Sequence, residues 1–482
     1  MHCDKSKIWG YLTIVGAALF HLSLGYNYTI GNMNPYLISY MNITAGETVW
    51  FHAVVISGQA LSMPLGGYLE SKIGFRPVVA IGGIMCSGGV ALSSLTVNHG
   101  IGPFIVTYAV MFGLGMGLPY SVLFTIAAAW FPKHRAVVVG IILGGLGMGA
   151  LVFTPTQTAL INPDNLDTSD ERVRSRIPTS FLILAALMFA LQLIGFFLCR
   201  KYKPPAEEEE KAEEESSELE ISVDQTLATD VYKPDHKIEH VQITYDYTIT
   251  EALRSIDFYL IAFLVFINTV PITLQASSYK VFGKQNHLDD RFLSTVATCT
   301  SIFNCSGRVI WGLICDKISF KFPLGWMLVQ WALLFGTFPA IATTSAFRAL
   351  FAIWVFLLFF TMAGHFVLLP GACSRIFGPK YMATTYGLLY FTTAPSALIL
   401  AAIVSQFDIA QNFDLVFYCC CGLCCLGFLI SIFLKDTQSK LGRSTRICAD
   451  MCNVCRSIPK SAIEAEKEDF EDSNIYDETF DL

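Results

Sequence analysis

Charge is what this sequence has least of. Asp, Glu, Lys and Arg make up 15% of its 482 residues, where a soluble chain would carry about one quarter. The shortage is uneven: twelve apolar runs are almost bare of charge, and the segments between them hold nearly all of it. A soluble globular protein is thereby excluded, and an all-α polytopic membrane protein is expected. The sequence also lacks a Gly-rich nucleotide loop, paired carboxylates at helical spacing and a His/Cys cluster at metal-ligand spacing. An enzyme, a cofactor site or a metal site therefore has no residues to support it, and no nucleic-acid partner is expected. The net charge of -7 says little about partners, because it comes mostly from two acidic segments.

Cysteine is plentiful, yet its placement excludes a disulfide scaffold. Of the fifteen, Cys419, Cys420, Cys421, Cys424 and Cys425 fall in one apolar run, and Cys86, Cys299 and Cys305 in others. There they read as small packing residues. Cys448, Cys452 and Cys455 follow the last run with no nearby His and no fourth ligand, so zinc is disfavoured; reversible palmitoylation and free thiols are the two readings. No cleavable signal peptide is evident. Met1–Lys7 is short and polar, and the apolar run after it is long enough to span.

The runs cover 8–28, 50–69, 77–97, 103–128, 136–153, 179–198, 258–279, 294–314, 322–343, 347–369, 383–404 and 413–434. Backbone polar groups in lipid must be satisfied within the segment, so each run should be a helix. The expected organisation is a six-helix half over 1–198, an acidic and largely disordered linker over 199–256, a second six-helix half over 257–434 and an acidic, largely disordered tail over 435–482. Lys72 and Arg76, Lys133 and Arg135, Lys317 and Lys321, and Arg375 and Lys380 follow spans 2, 4, 8 and 10, whereas the loops after spans 1, 3 and 11 hold no Lys or Arg. The basic loops, both termini and the linker should be cytosolic. Asn42-Ile43-Thr44 then falls in the first outer loop, which makes Asn42 a candidate glycosylation site. A plasma membrane is expected ahead of an organelle.

Arg308 is the one Asp, Glu, Lys or Arg placed well inside a span. An ionised group at that depth costs roughly 2.5–3.5 kcal/mol or more unless it meets water, a partner or a ligand. One reading is a counter-ion for a small anion crossing the membrane. The other is snorkelling, because Arg308 lies eight residues before Asp316, about 12 Å along a helix, and a long side chain can reach headgroups. Glycines crowd spans 4 and 5, in Gly113-Leu114-Gly115-Met116-Gly117 and Gly144-Gly145-Leu146-Gly147-Met148-Gly149, where small residues let helices pack closely. Asn268 and Pro271 mark a candidate hinge in span 7.

Two loops repeat. Gly67-Tyr68-Leu69-Glu70-Ser71-Lys72-Ile73-Gly74-Phe75-Arg76 follows span 2, and Gly312-Leu313-Ile314-Cys315-Asp316-Lys317-Ile318-Ser319-Phe320-Lys321 follows span 8. With six spans in each half, this pair resembles the G-x-x-x-D-x-x-G-R/K signature of the major facilitator superfamily. The resemblance implies twelve transmembrane helices in two six-helix halves, and conformational loops built on Gly67, Glu70, Ser71, Gly74, Arg76, Gly312, Asp316 and Lys317. Ser71 stands where the first loop should have its acid, with Glu70 beside it.

The glycines of spans 4 and 5, Asn304-x-x-Gly-Arg308-x-x-Trp-Gly312 and Tyr386-Gly387-Leu388-Leu389-Tyr390 are similar to the oxalate/formate antiporter and monocarboxylate porter branch, with apicomplexan-type pyruvate carriers nearby. That resemblance implies a substrate-binding Arg308, with Tyr28, Tyr120, Asn304, Phe366, Tyr390 and Thr393 as further pocket residues. Thr393 stands where dicarboxylate carriers have a second cation, and Asn304 where proton-coupled porters have an aspartate. One fixed positive charge suits a monoanion. His21, His52 and His365 belong to the one residue type whose ordinary pKa lies near neutrality, but they read first as structural, with His52 placed near the outer surface.

The expected function is alternating-access transport of a small monocarboxylate such as pyruvate or lactate, with the anion and the lipid bilayer as partners. One rival is a carrier of another organic anion or a neutral solute, with Arg308 structural. The other is a non-transporting sensor or scaffold acting through its tails, where Thr479-Phe480-Asp481-Leu482 fits a PDZ-type partner.

Overall fold

The computed structural model describes residues 5–164, 166–202, 246–406 and 412–436. The middle of the linker, the tail with Cys448, Cys452 and Cys455, and the terminal Thr479–Leu482 lie outside the described residues. All regular elements among those described are helical. Twelve long helices follow one another: α1 (Lys7–Met41), α2 (Ala45–Ile73), α3 (Phe75–Thr96), α4 (Ile101–Ala128), α5 (Pro132–Ile161) and α6 (Glu171–Leu198), then α7 (Ile256–Gln285), α8 (Asp290–Ile318), α9 (Lys321–Thr343), α10 (Phe347–Ile376), α11 (Met382–Val404) and α12 (Phe413–Ile432). They form two six-helix halves.

Ten of the described helices are long and apolar enough to cross a membrane by composition; α2 and α8 are too polar to qualify. Each of these two has 29 residues, about 43 Å of helix, which is ample to span. Their polarity follows from their position. Each packs against the opposite half, α2 on α11 and α8 on α5, and so keeps Ser57, Gln59, Ser62, Thr300, Asn304 and Arg308 buried. Glycine makes these joints close. A Cβ on Gly67 would meet the Thr384 backbone, one on Gly387 the Pro64 backbone, one on Gly140 the Arg308 carbonyl and one on Gly312 the Ala136 carbonyl.

The repeated loops lie beside the two joints but behave differently. Asp316 accepts the Ala136 and Val137 amides at 3.0 and 2.8 Å, a carboxylate on the amides of a helix first turn. Ser71 is exposed, and its hydroxyl donates to its own helix at Tyr68 O. Glu70 pairs with Lys201 at 2.7 Å. Gly74 ends α2 at φ +79°, where glycine pays no Cβ penalty, and its counterpart Ser319 adopts φ +91°. Arg76 lies over Phe75 and Phe196, and Lys317 is exposed.

Both ends of segment 199–256 are anchored. Arg200 stacks on Trp9 with Cζ 3.2 Å from the ring centroid, and its carbonyl accepts Trp130 Nε1. At the far end the Tyr247 amide donates to Phe377 O, and a short helix, Ile249–Arg254, starts from a Thr248/Glu251 capping box. The first span runs past residue 28 to Met41 through a tight turn at Gly25–Thr29. That leaves Asn42 exposed at the helix end, φ +54°, with the Thr44 hydroxyl held in the capping box of α2.

Within the first half, α1 crosses α5 where Gly25 faces Gly149 backbone to backbone; a Cβ on either would collide with the other chain, whereas Gly102 has nothing within 4 Å. Gly149→Val should destabilise the detergent-solubilised protein by roughly 1–3 kcal/mol, read as a lower thermal midpoint, and Gly102→Ala should leave the midpoint unchanged. Equal midpoints for Gly149→Val and wild type would contradict this packing.

Candidate functional site

The three breaks in helix continuity beside the joint are grouped. The tight turn Gly25–Thr29 interrupts α1, Met148 separates the two segments of α5, and residues 391 and 392 separate those of α11. Pro271 adds an interior proline to α7. Irregular backbone at membrane depth is tolerated where protein or a cavity takes up its polar groups. A cavity of about 90 Å³ lies among these breaks. Its wall takes Asn27 and Tyr28 from α1, His52 and Gln59 from α2, Tyr120 from α4 and Leu146 from α5; α7 adds Thr269, α10 adds Met362, His365 and Phe366, and α11 adds Tyr390 and Thr393. Both halves therefore supply wall residues.

Arg308 stands behind this wall and is fully buried. Gly307 lets α10 approach, because a Cβ there would sit 2.9 Å from both Phe360 O and Ala363 Cβ, and Trp311 donates to Phe360 O at 3.1 Å. The guanidinium then points across the joint rather than toward a headgroup layer. Nε donates to Asn304 Oδ1 at 3.0 Å, one terminal nitrogen to Leu143 O of α5 at 2.8 Å, and the other to the Tyr28 hydroxyl of α1 at 3.0 Å. Cζ lies 4.7 Å from the Phe366 ring centroid, a cation–π contact. Asn304 is itself held by donating to Phe359 O at 3.2 Å, and Gly147 leaves room for it, since a Cβ there would meet Asn304 Oδ1 at 2.7 Å.

Every one of these partners is neutral. Among the described residues no carboxylate lies within ion-pair distance of Arg308. These bonds engage three of the five guanidinium N–H donors, and the Tyr120 hydroxyl lies close enough to interact with the group as well. Tyr28 and Phe366, which touch the guanidinium, also line the cavity.

The structure brings together the residues singled out in the sequence. Tyr28, Tyr120, Phe366, Tyr390 and Thr393 line the cavity, with the Tyr120 and Tyr390 rings stacked at 6.3 Å; Asn304 lies behind them on Arg308. His52, half-buried in the second turn of α2, lines the cavity, and so does His365, with Nδ1 3.4 Å from Asn268 Nδ2. His21 packs on Tyr120 at 5.3 Å with Nδ1 2.9 Å from Ala17 O. Asn27, Gln59, Thr269 and the Leu143 carbonyl escaped the reading of the sequence. For Gln59 a signal existed, an amide side chain within a predicted span. The carbonyl had none, because every residue has one.

The profile of the Major Facilitator Superfamily matches residues 15–270. The apicoplast pyruvate carrier 1 of Toxoplasma gondii is 26% identical over 462 residues, covering 82% of this chain and 83% of that protein. The oxalate:formate antiporter of Oxalobacter formigenes is 25% identical over 395 residues, covering 81% and 82%. Among solved structures, the proton:xylose symporter XylE bound to 6-bromo-6-deoxy-D-glucose superposes with a TM-score of 0.63 at 14% identity, covering 90% of this chain and 97% of that one.

Stability measurements test whether the fold needs Arg308. Removing either side of a buried hydrogen-bonded set leaves the other side unpaired. Asn304→Leu should lower stability by about 1–3 kcal/mol, and Arg308→Met, which orphans Asn304 Oδ1, the Leu143 carbonyl and the Tyr28 hydroxyl, should cost a similar amount. A thermal midpoint for Arg308→Met equal to or above wild type would show that the fold does not need the arginine.

Proposed function

Because the chain belongs to the Major Facilitator Superfamily, we propose that it is a secondary carrier moving small monocarboxylate anions by alternating access, with Arg308 as the substrate counter-ion. The observation that carries this reading is the fully buried guanidinium, bonded only to neutral acceptors, directly behind a cavity that both halves line. An uncompensated buried charge costs on the order of 3–5 kcal/mol. Neutral hydrogen bonds offset part of this, and a bound carboxylate offsets more. An arginine fork can hold a carboxylate by two parallel hydrogen bonds, which an ammonium cannot do.

Size and charge narrow the substrate. Roughly 15 Å³ of such volume holds one water, so 90 Å³ suits an acid of about six heavy atoms such as pyruvate or lactate. Thr393 occupies the wall position where a second fixed cation would favour a dicarboxylate, so a monoanion fits. The two most extensive relatives described above are carriers of carboxylates by name, which agrees with this class.

The same bonds supply a coupling of binding to movement. Arg308 belongs to the second half, and two of its acceptors, Leu143 O and Tyr28, belong to the first. A carboxylate that takes over those donors loosens a tie across the joint, and the halves can then rock about the site. The face with the basic loops is read as cytosolic.

Uptake of labelled pyruvate and lactate into proteoliposomes tests the proposal. Arg308→Ala should lose transport by a hundredfold or more, and Arg308→Lys, which keeps the charge but not the fork, by tenfold or more. Undiminished uptake by correctly folded Arg308→Ala would sink the counter-ion role. Asn304→Asp gives Arg308 a carboxylate of its own. It should weaken uptake about tenfold near neutral pH and recover as acid protonates the new group; a pH-independent rate equal to wild type would count against the proposed electrostatics.

A further inference from the structure

The cavity wall carries a second polar group besides the Arg308 side. Asn27, Gln59 and Thr393 all line it and are only 3%, 1% and 4% exposed. Asn27 Oδ1, Gln59 Oε1 and Thr393 Oγ1 each lack a hydrogen-bond partner among the described residues. Burying an amide or hydroxyl oxygen in that condition costs about 1–3 kcal/mol each.

Some neighbouring polar residues on these helices are satisfied, although His21 Nε2, the Tyr26 hydroxyl and Asn34 Oδ1 on α1 also lack a partner among the described residues. Ser57 and Ser62 of α2 donate to Ala53 O and Gly58 O, and Thr29 of α1 donates to Tyr26 O. Thr393 begins a new helical segment just after the break in α11, and the Thr392 hydroxyl beside it lies 2.9 Å from both Leu389 O and Ala262 O. Asn27 sits in the tight turn of α1. The three residues that carry these oxygens line one small cavity, two from the first half and one from the second.

We propose that Asn27, Gln59 and Thr393 are specificity-determining residues that bind a second oxygen on the substrate, a hydroxyl or a carbonyl on its carbon chain. This rests on the reading that Arg308 holds the carboxylate. A carboxamide offers both an acceptor oxygen and a donor nitrogen, and a threonine hydroxyl does both. A hydroxy acid can donate its O–H to the Asn27 and Gln59 oxygens, whereas an oxo acid can only accept, from the Thr393 hydroxyl or from the amide nitrogens. The set rejects an unsubstituted acid of equal length, whose binding leaves the buried polar atoms unpaired. The substrate class is short oxo- and hydroxy-monocarboxylates rather than simple fatty acids.

Three acids with the same carbon count test this: propionate, lactate and pyruvate, each competing with labelled pyruvate for uptake into proteoliposomes. In wild type, propionate should compete at least tenfold more weakly than the other two. In Gln59→Leu with Thr393→Val the gap should shrink to about threefold or less, and single Gln59→Leu should fall between, which covers a failure of the double variant to fold. Propionate competing as well as lactate in wild type, or an unchanged gap in folded Gln59→Leu, would overturn the role of these residues while leaving Arg308 intact. Failure of wild type to recognise any of the three acids would instead overturn the counter-ion reading, and this one with it.

Discussion

A single buried guanidinium organises this molecule. Arg308 sits at full burial with three neutral acceptors, and each has required a local accommodation. Asn304 is anchored to Phe359 O on α10, Gly147 leaves space for the Asn304 oxygen, and Tyr28 is presented by a tightened turn of α1. A buried charge without an ionic partner is costly to the fold, and the counter-ion role proposed above would give it one.

The joint between the halves has to be smooth enough to move yet dry enough to isolate that charge. Glycines on both sides meet that requirement by bringing backbones together at Gly67, Gly140, Gly312 and Gly387, with few long side chains to interdigitate. The two joints are not equivalent. One is tied by Asp316 on the first-turn amides of α5. At the other, Ser71 turns back on its own helix and the neighbouring Glu70 pairs with Lys201 instead. The bonds at Asp316 cross between the halves, whereas the Glu70–Lys201 pair joins α2 to the chain after α6 within the first half.

The helix breaks and the polar wall belong to the same design. The breaks in α1, α5 and α11 lie beside residues of one cavity wall, and Thr393, at the start of the second segment of α11, keeps a buried hydroxyl without a partner among the described residues.

The sequence by itself determined the all-helical membrane fold and the twelve spans in two halves, and it singled out Arg308 as an ion within a span, because hydropathy, loop charge and an isolated ion inside an apolar run are local properties written residue by residue. It also pointed to Tyr28, Tyr120, Phe366, Tyr390 and Thr393, which do surround one cavity, although only their resemblance to a known pattern joined residues so far apart. Tertiary structure decided the rest. Whether Arg308 snorkels or crosses the joint depends on where α5 and α10 pass, and periodicity carries no record of helix-to-helix placement. His52 faces inward because α2 lies against α11, and Gln59 and Asn27 gain meaning only from the unsatisfied atoms they share with Thr393. The Leu143 carbonyl has no sequence signature at all. Backbone groups become specific only when a fold brings a donor to them.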